Sequence, residues 1–418
     1  MTRFVHAHAA HPQAAMAFAL AAAQVDGQRA QGACAEPTLG WIYLTDSVAG
    51  QAGQVLELAR QRWPAVSWVG AVGVGICASG VEYFGEGAVA LMLCDLPPQH
   101  FRVFSGARPL QADAPFTAHT ALVHADPRAP DLGELVAELS DRTASGYLFG
   151  GLASTSSADA AALLVADGIW SGGLAGVAFD AGVPIVSRVT QGSQPIGPRR
   201  RVTGVDGQVV LTLDDQGALD VLLDDLGLAR DIDLRRAVPR LRGTMVGLSD
   251  AAAGAAVSAA PLRGDAFGED VRVRHVIGVD PARRAVALAE RAVPGQFLAF
   301  SRRDTEAARR DLVRICAEIR DELSPEELPQ PSAVGAAAAL AAAHEGAARP
   351  SGAERIAGAI YVSCAGRGGP HFGAPSAELQ LVRHALGDVP LVGFFAAGEI
   401  GHHHLYGYTG VLTVFVGA

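Results

Sequence analysis

The stretch Val389-Pro-Leu-Val-Gly-Phe-Phe-Ala-Ala-Gly-Glu-Ile-Gly-His-His-His-Leu-Tyr-Gly-Tyr-Thr-Gly-Val-Leu-Thr-Val-Phe-Val416 decides how the rest of the chain is read. It predicts a short strand, a glycine-punctuated turn carrying one acid, and a longer strand from Val411 to Val416. Gly393, Gly398 and Gly401 bracket Glu399. Glycine recurs where the backbone needs positive φ or approaches something closely. Burying a carboxylate without a partner costs several kcal/mol, so Glu399 is expected to be solvated, paired or holding a ligand.

The same pattern stands earlier, at Trp68-Val-Gly-Ala-Val-Gly-Val-Gly-Ile-Cys77, and an apolar strand comes after it too, through Leu93. Val69-Gly70 and Gly75 match the spacing of Val392-Gly393 and Gly398, and Phe84-Gly85 answers Tyr406-Gly407. Upstream, the strand at Trp41 answers the strand at Ile360. These matches imply an internal duplication, with two related domains at 1–215 and 216–418. The expected fold class is mixed α/β, with largely antiparallel mixed sheets flanked by helices. Glu399 has no counterpart in the first half, where Ile76 follows the glycine. The halves diverge where chemistry would sit.

At 418 residues the chain can bury at least one large core. Half its residues are apolar and 18% charged, which marks a globular protein. A net charge of −10 argues against nucleic acid or an anionic membrane as the main partner. The five cysteines are odd in number and lack C-x-x-C spacing, as expected of unpaired thiols in a reducing cytosol. No stretch has the twenty or so strongly apolar residues of a membrane span. The run Ala14 to Ala23 resembles a signal-peptide core, but its residues are weakly apolar and it reads as a first helix over about 12–31.

Between the repeats, helices are expected at Val55–Arg62 and at Asp131–Arg142, with Asp131 as the cap. Ala218–Leu226 reads as an acidic helix forming the hinge into the second half. Asp304 is expected to cap a helix to about Ile319, and Leu323–Arg349 to hold a loop and an alanine-rich helix.

Two charged residues stand at strand ends: Arg367 in Ile360-Tyr-Val-Ser-Cys-Ala-Gly-Arg-Gly-Gly369, and Glu399. An arginine between glycines is free to fork onto a carboxylate. Gly366 and Gly398 frame the pair, and Cys364, Tyr406 and His402 complete the expected ligand set. The two charges suit a zwitterion and also suit each other as a plain salt bridge. Cys364 has no base nearby in sequence. His371 and the run His402 to His404 lack an acid or cysteine at a standard zinc spacing, so no metal and no cofactor is expected.

The combination YVSCAGRG, PLVGFFAAGEIG and YGYTGVLTVF resembles the C-terminal part of the FIST proteins. LGWIYLTD, WVGAVGVGI, GVEYFGEGAVALMLCDLP, FGGLAS and DGIWSGGLAGVAF are similar to the FIST N-terminal domain. The resemblance runs over nearly the whole chain. It implies a cytosolic, non-catalytic sensor of a small amino-acid-like ligand that passes its signal to a separate partner protein. The turn after GEIG is shorter than the family's, with His402 to His404 in place of a glycine-proline loop and Tyr406 where a histidine is usual. Two other readings compete: an enzyme using Cys364 or Ser363, and a scaffold serving only protein contacts.

Overall fold

The computed structural model of the protein describes residues 3–111, 116–157, 159–249, 271–324, 355–368 and 371–417. The alanine-rich helix expected before residue 349 lies outside the described residues. The chain opens with β1 (Phe4–Ala10), α1 (Ala14–Ala30), β2 (Leu39–Thr45), α2 (Ala52–Arg62) and β3 (Ser67–Gly73). A hairpin, β4 (Gly75–Ala78) and β5 (Val81–Phe84), leads to β6 (Ala88–Cys94). A like order returns in β7 (Phe101–Phe104), β8 (Thr120–Ala125), α3 (Leu132–Asp141) and β9 (Tyr147–Leu152). The hairpin β10 (Leu164–Ala166) and β11 (Ile169–Trp170) and the strand β12 (Leu174–Phe179) complete this second copy.

After β13 (Ile185–Gln191) the chain enters an inserted unit. This comprises β14 (Ser193–Pro195), β15 (Arg200–Asp206), β16 (Val209–Leu213), β17 (Gln216–Gly217), α4 (Ala218–Asp225) and α5 (Leu234–Arg242). It continues with β18 (Thr244–Ser249), β19 (Arg272–Asp280), β20 (Ala285–Leu288) and β21 (Phe297–Arg303). The repeating order then resumes with α6 (Thr305–Leu323), β22 (Ile356–Cys364), α7 (Ala377–Leu386) and β23 (Leu391–Ala396). The hairpin β24 (Glu399–His402) and β25 (His404–Tyr406) and the last strand β26 (Thr409–Val416) close it.

Three six-stranded sheets share one plan: β1-β6-β2-β3-β10-β11, β7-β12-β8-β9-β24-β25, and β13-β26-β22-β23-β4-β5. In each, one central pair runs parallel, β2 with β3, β8 with β9, β22 with β23. Their neighbours are antiparallel. Each copy gives its hairpin to the next copy's sheet: β4–β5 joins the third, β10–β11 the first, β24–β25 the second. The strands at Trp41 and Ile360 are equivalent, as the repeat implied, and a third copy lies between them. Its glycine pattern is blurred, because Leu163, whose carbonyl accepts from Val72 as that of Gly398 accepts from Leu152, stands where the other copies have Gly75 and Gly398.

One contact fixes all three registers. Ile42 pairs with Gly70, Val123 with Gly150 and Tyr361 with Gly393. At each of these glycines a Cβ would overlap the partner's carbonyl oxygen, so only glycine allows the parallel strands to close. The sheets turn one face each to a common core containing Trp41, Tyr43, Phe149, Phe179, Phe394 and Phe415. Each such side chain contributes about 1.5–3 kcal/mol of burial. The outer faces are covered by α1 and α2 on the first sheet, α3 on the second, and α6 and α7 on the third.

The inserted unit has its own core, built on Val202, Leu213, Leu222, Val246 and Phe300. The chain enters it at Gln191–Ser193 and leaves it at Arg303–Thr305. The acidic helix expected as a hinge between halves is α4, inside this unit, while residues 213 and 216 pair within its sheet. Asp304 caps α6 by accepting from the Ala307 amide at 2.8 Å. Asp131 does not cap α3: it sits at φ 53, ψ 34, from which its side chain makes no cap bond. All five cysteines are unpaired. Among the described residues no helix is long and apolar enough to cross a membrane.

Candidate ligand site beside the third sheet

The shared register lets each residue of the third copy be compared with its two equivalents. Glu399 pairs with Gly151, as Ile76 pairs with Phe394 and Leu164 with Ala71. Ile76 and Leu164 belong to the central core, so Glu399 holds a position that is aliphatic in both other copies. It is 0% exposed. Its Oε2 accepts from the Thr409 amide at 3.0 Å and from the Thr409 hydroxyl at 2.7 Å. Its Oε1 has no hydrogen-bond partner. Burial raises this carboxyl to about 8, against the opposing pull of Thr409, the Arg367 guanidinium and the Cys364 thiol.

The residue at the end of β22 is Cys364, equivalent to Thr45 and, one residue past β8, to Asp126. In the first copy Thr45 accepts from the Ala88 amide at 2.9 Å. In the second, Asp126 accepts from the amides of Arg128 at 2.9 Å and Gly172 at 3.0 Å. Both ends are closed by their own chain. Cys364 is partly exposed, and burial followed by the charge of Glu399 pushes its thiol up to about 12.

On the outer face, Tyr361 and Ser363 replace the aliphatic Ile42 and Leu44 of the first copy. They serve Glu378, in the first turn of α7 and 0% exposed. Tyr361 donates to its Oε1 at 2.7 Å, and Ser363 reaches both oxygens at 3.0 and 3.1 Å. Arg367, also 0% exposed, donates from Nε to Glu378 at 3.2 Å, and its Nη2 lies 3.1 Å from the same carboxylate. Its Nη1 donates to the Thr190 carbonyl at 3.1 Å. Burial is the largest influence and works against the guanidinium's charge, but Glu378, joined by Tyr361, Tyr408 and Glu399, outweighs it and holds Arg367 protonated above the ordinary range. From the exchanged hairpin, Glu82 accepts from the amides of Glu378 and Leu379 at 3.1 and 3.2 Å. It thereby supplies the negative group favoured at a helix N-terminus.

Tyr408 joins these parts. It is a non-glycine residue at φ 62, buried, with its hydroxyl against the His371 ring at 2.6 Å. Backbone strain of this kind collects at functional sites. The Arg303 guanidinium lies over the Tyr408 ring at 4.5 Å, and a side chain begun at Gly366 would meet it at 3.6 Å. Tyr408 also packs with Met245, Val271, Val273 and Ala299 of the inserted unit, with Cys364 against them. The site therefore lies on the seam between the third sheet and the insert. Burial, followed by the charges of Arg367 and Arg303, lowers His371 to about 4, so it is neutral at ordinary pH.

Cys364, Gly366, Arg367 and Glu399 are thus gathered in one region, but Arg367 and Glu399 make no ion pair with each other: Glu378 takes the guanidinium and Thr409 the carboxyl. Gly398 packs beside Leu152, and Tyr406 pairs with Glu399 across the hairpin. His402 is exposed, its ring edge-on to Tyr147 at 4.4 Å, on the second sheet. Sequence reasoning missed Glu378, Thr409, Tyr408 and Arg303, and weighed His371 only as a metal ligand or part of a polar turn. The signal for Glu378 was an acid in an otherwise apolar first turn; the others are brought in by non-local pairing. Among the described residues no group of three or more His, Cys, Asp or Glu is placed to hold a metal ion. An apolar cavity of about 250 Å³ lies elsewhere, between Phe104, Leu110, Leu139 and Leu174.

A family model for the FIST N domain matches residues 38–216, and one for the FIST C domain matches residues 218–402. An uncharacterized protein of Mycobacterium tuberculosis is 29% identical over 421 residues, covering 97% of each chain. An uncharacterized protein of Mycobacterium bovis is 30% identical over 243 residues, 56% of this chain and 50% of that protein.

Proposed function

Since the chain belongs to the FIST family, whose N and C domains it carries in succession, we propose that it is a cytosolic small-ligand sensor in signal transduction. FIST domains are associated with signal transduction. We place its ligand, an amino acid or derivative, at the seam around Glu399, with a separate partner protein receiving the output. One observation carries the reading. A carboxyl occupies a register position that is Ile76 and Leu164 in the other copies, fully buried and with one oxygen unpartnered. A buried unsatisfied polar atom costs about 1–3 kcal/mol, and a ligand group can remove that cost. The strained Tyr408, on the seam with the inserted unit, lies beside it.

We propose no catalytic role. A cysteine nucleophile needs its thiolate, and Cys364 is pushed up to about 12 while its carboxyl neighbour keeps its proton near neutral pH. The test is a thermal-shift screen of the full chain against amino acids, 2-oxo acids and nucleotides, repeated on Glu399→Ala. Stabilisation by a compound that disappears in Glu399→Ala supports the site. A ligand response untouched by that change removes the ligand from this seam.

A further inference from the structure

If the seam is the ligand site, as proposed above, the arrangement of charge around Glu399 also selects the chemistry of the ligand. Arg367 is neutralised by Glu378. Asp304 is occupied as the cap of α6. Asp311 accepts from the Gln191 amide at 2.7 Å and pairs with Arg314 at 2.9 Å. Glu306 pairs with Arg309 at 3.2 Å, and Arg309 also donates to the Phe372 carbonyl. Arg303 is exposed, lies over the Tyr408 ring and has no acid within ion-pair distance among the described residues. Its face rests on Tyr408, which orders the guanidinium fork before any ligand arrives.

We propose that the seam takes a carboxylic acid as its anion, with the Arg303 guanidinium as counter-ion and the Glu399 carboxyl as a neutral hydrogen-bond donor from Oε1. Against burial, the Thr409 amide and hydroxyl pull hardest toward the ionised form of Glu399, and both fall on Oε2, with weaker pulls from Arg367 and the Cys364 thiol. A proton on the carboxyl therefore belongs on Oε1, the oxygen without a partner in the fold. The groups facing Glu399 are Thr409 on β26, Cys364 and Arg367 after β22, Tyr406 on β25 and Gly151 on β9. Of these only Arg367 is charged at neutral pH, and Glu378 already answers it. An ionised Glu399 would repel an anion; a protonated one donates to it. Since the carboxyl titrates near 8, anion binding weakens as pH rises through that value.

The experiment is calorimetry and thermal shift on the full chain with matched probes: pyruvate, alanine and ethylamine; phenylpyruvate, phenylalanine and phenethylamine. The 2-oxo acid of at least one set is expected to bind roughly tenfold or more tighter than its amine, the size of one charge-assisted hydrogen bond. Arg303→Ala, at an exposed position that should leave folding intact, weakens that binding by a similar factor, and Arg303→Lys restores part of it. Glu399→Gln, which keeps a neutral donor, still binds the acid but loses the weakening between pH 7 and pH 9. Preference for the amine, or loss of all binding in Glu399→Gln with its unliganded melting point intact, overturns the anion assignment and leaves the sensor reading standing. If no amino acid, 2-oxo acid, amine or nucleotide shifts the wild-type melting point, the sensor reading falls, and the anion assignment with it.

Discussion

Replacing Arg367 by alanine separates a structural role from a ligand-binding one. The guanidinium and its partner Glu378 are both 0% exposed, linked at 3.1 and 3.2 Å, and a further bond goes to the Thr190 carbonyl at 3.1 Å. In Arg367→Ala the Glu378 carboxylate keeps the hydroxyls of Tyr361 and Ser363 but loses its only counter-ion among the described residues, and the Thr190 carbonyl loses a donor. Breaking a buried pair from one side costs about 3–5 kcal/mol, against about 0–1 kcal/mol for an exposed pair. Urea unfolding of the unliganded chain, followed by tryptophan fluorescence, should show a lower midpoint with that loss. The double variant Arg367→Met with Glu378→Leu removes both charges, and is expected to recover much of the stability. A loss below about 1 kcal/mol in Arg367→Ala would show that the guanidinium carries no structural load. It would restore the alternative in which Arg367 waits for a ligand.

Gly393→Ala and Gly70→Ala each drive a Cβ into a partner carbonyl. Each is expected to cost at least about 1–3 kcal/mol or to prevent folding. Wild-type stability in either variant refutes the close-approach argument. Thiol titration of denatured, unreduced protein should count five free cysteines, and a reproducible deficit of two would reveal a disulfide. Glu399 makes a signed pH prediction. Its folded carboxyl holds a proton to about 8 against an ordinary 4.5, so its stabilising contribution is full below 4.5 and declines as pH rises through 8. Glu399→Gln keeps the neutral form throughout. Its stability advantage over wild type should therefore grow between pH 4.5 and pH 8 in unfolding titrations, and a constant difference across that range would place the carboxyl's titration elsewhere.

Much was legible in the sequence because it is written in local spacing. A glycine five residues before another, then an aromatic-glycine pair and an apolar strand, revealed the equivalence of the Trp41 and Ile360 strands and the odd position of Glu399. Asp304 was readable as a cap because a cap acts within one turn of helix. Family membership was readable from motifs in order along the chain.

The third copy, the exchanged hairpins and the partner of Arg367 were decided elsewhere. The middle repeat keeps only the glycine its parallel pair requires, Gly150, since a hairpin lent to another sheet need match only its new neighbour. Glu82 reaches the start of α7 from a residue 296 positions away, and Arg367 meets Glu378 only because the helix carrying it packs across the outer face of β22. Local sequence specifies backbone conformation and which face of a strand is apolar. Whether a charge ends in water, in a ligand or against another charge depends on desolvation, and only the assembled sheets settle what is desolvated and beside what.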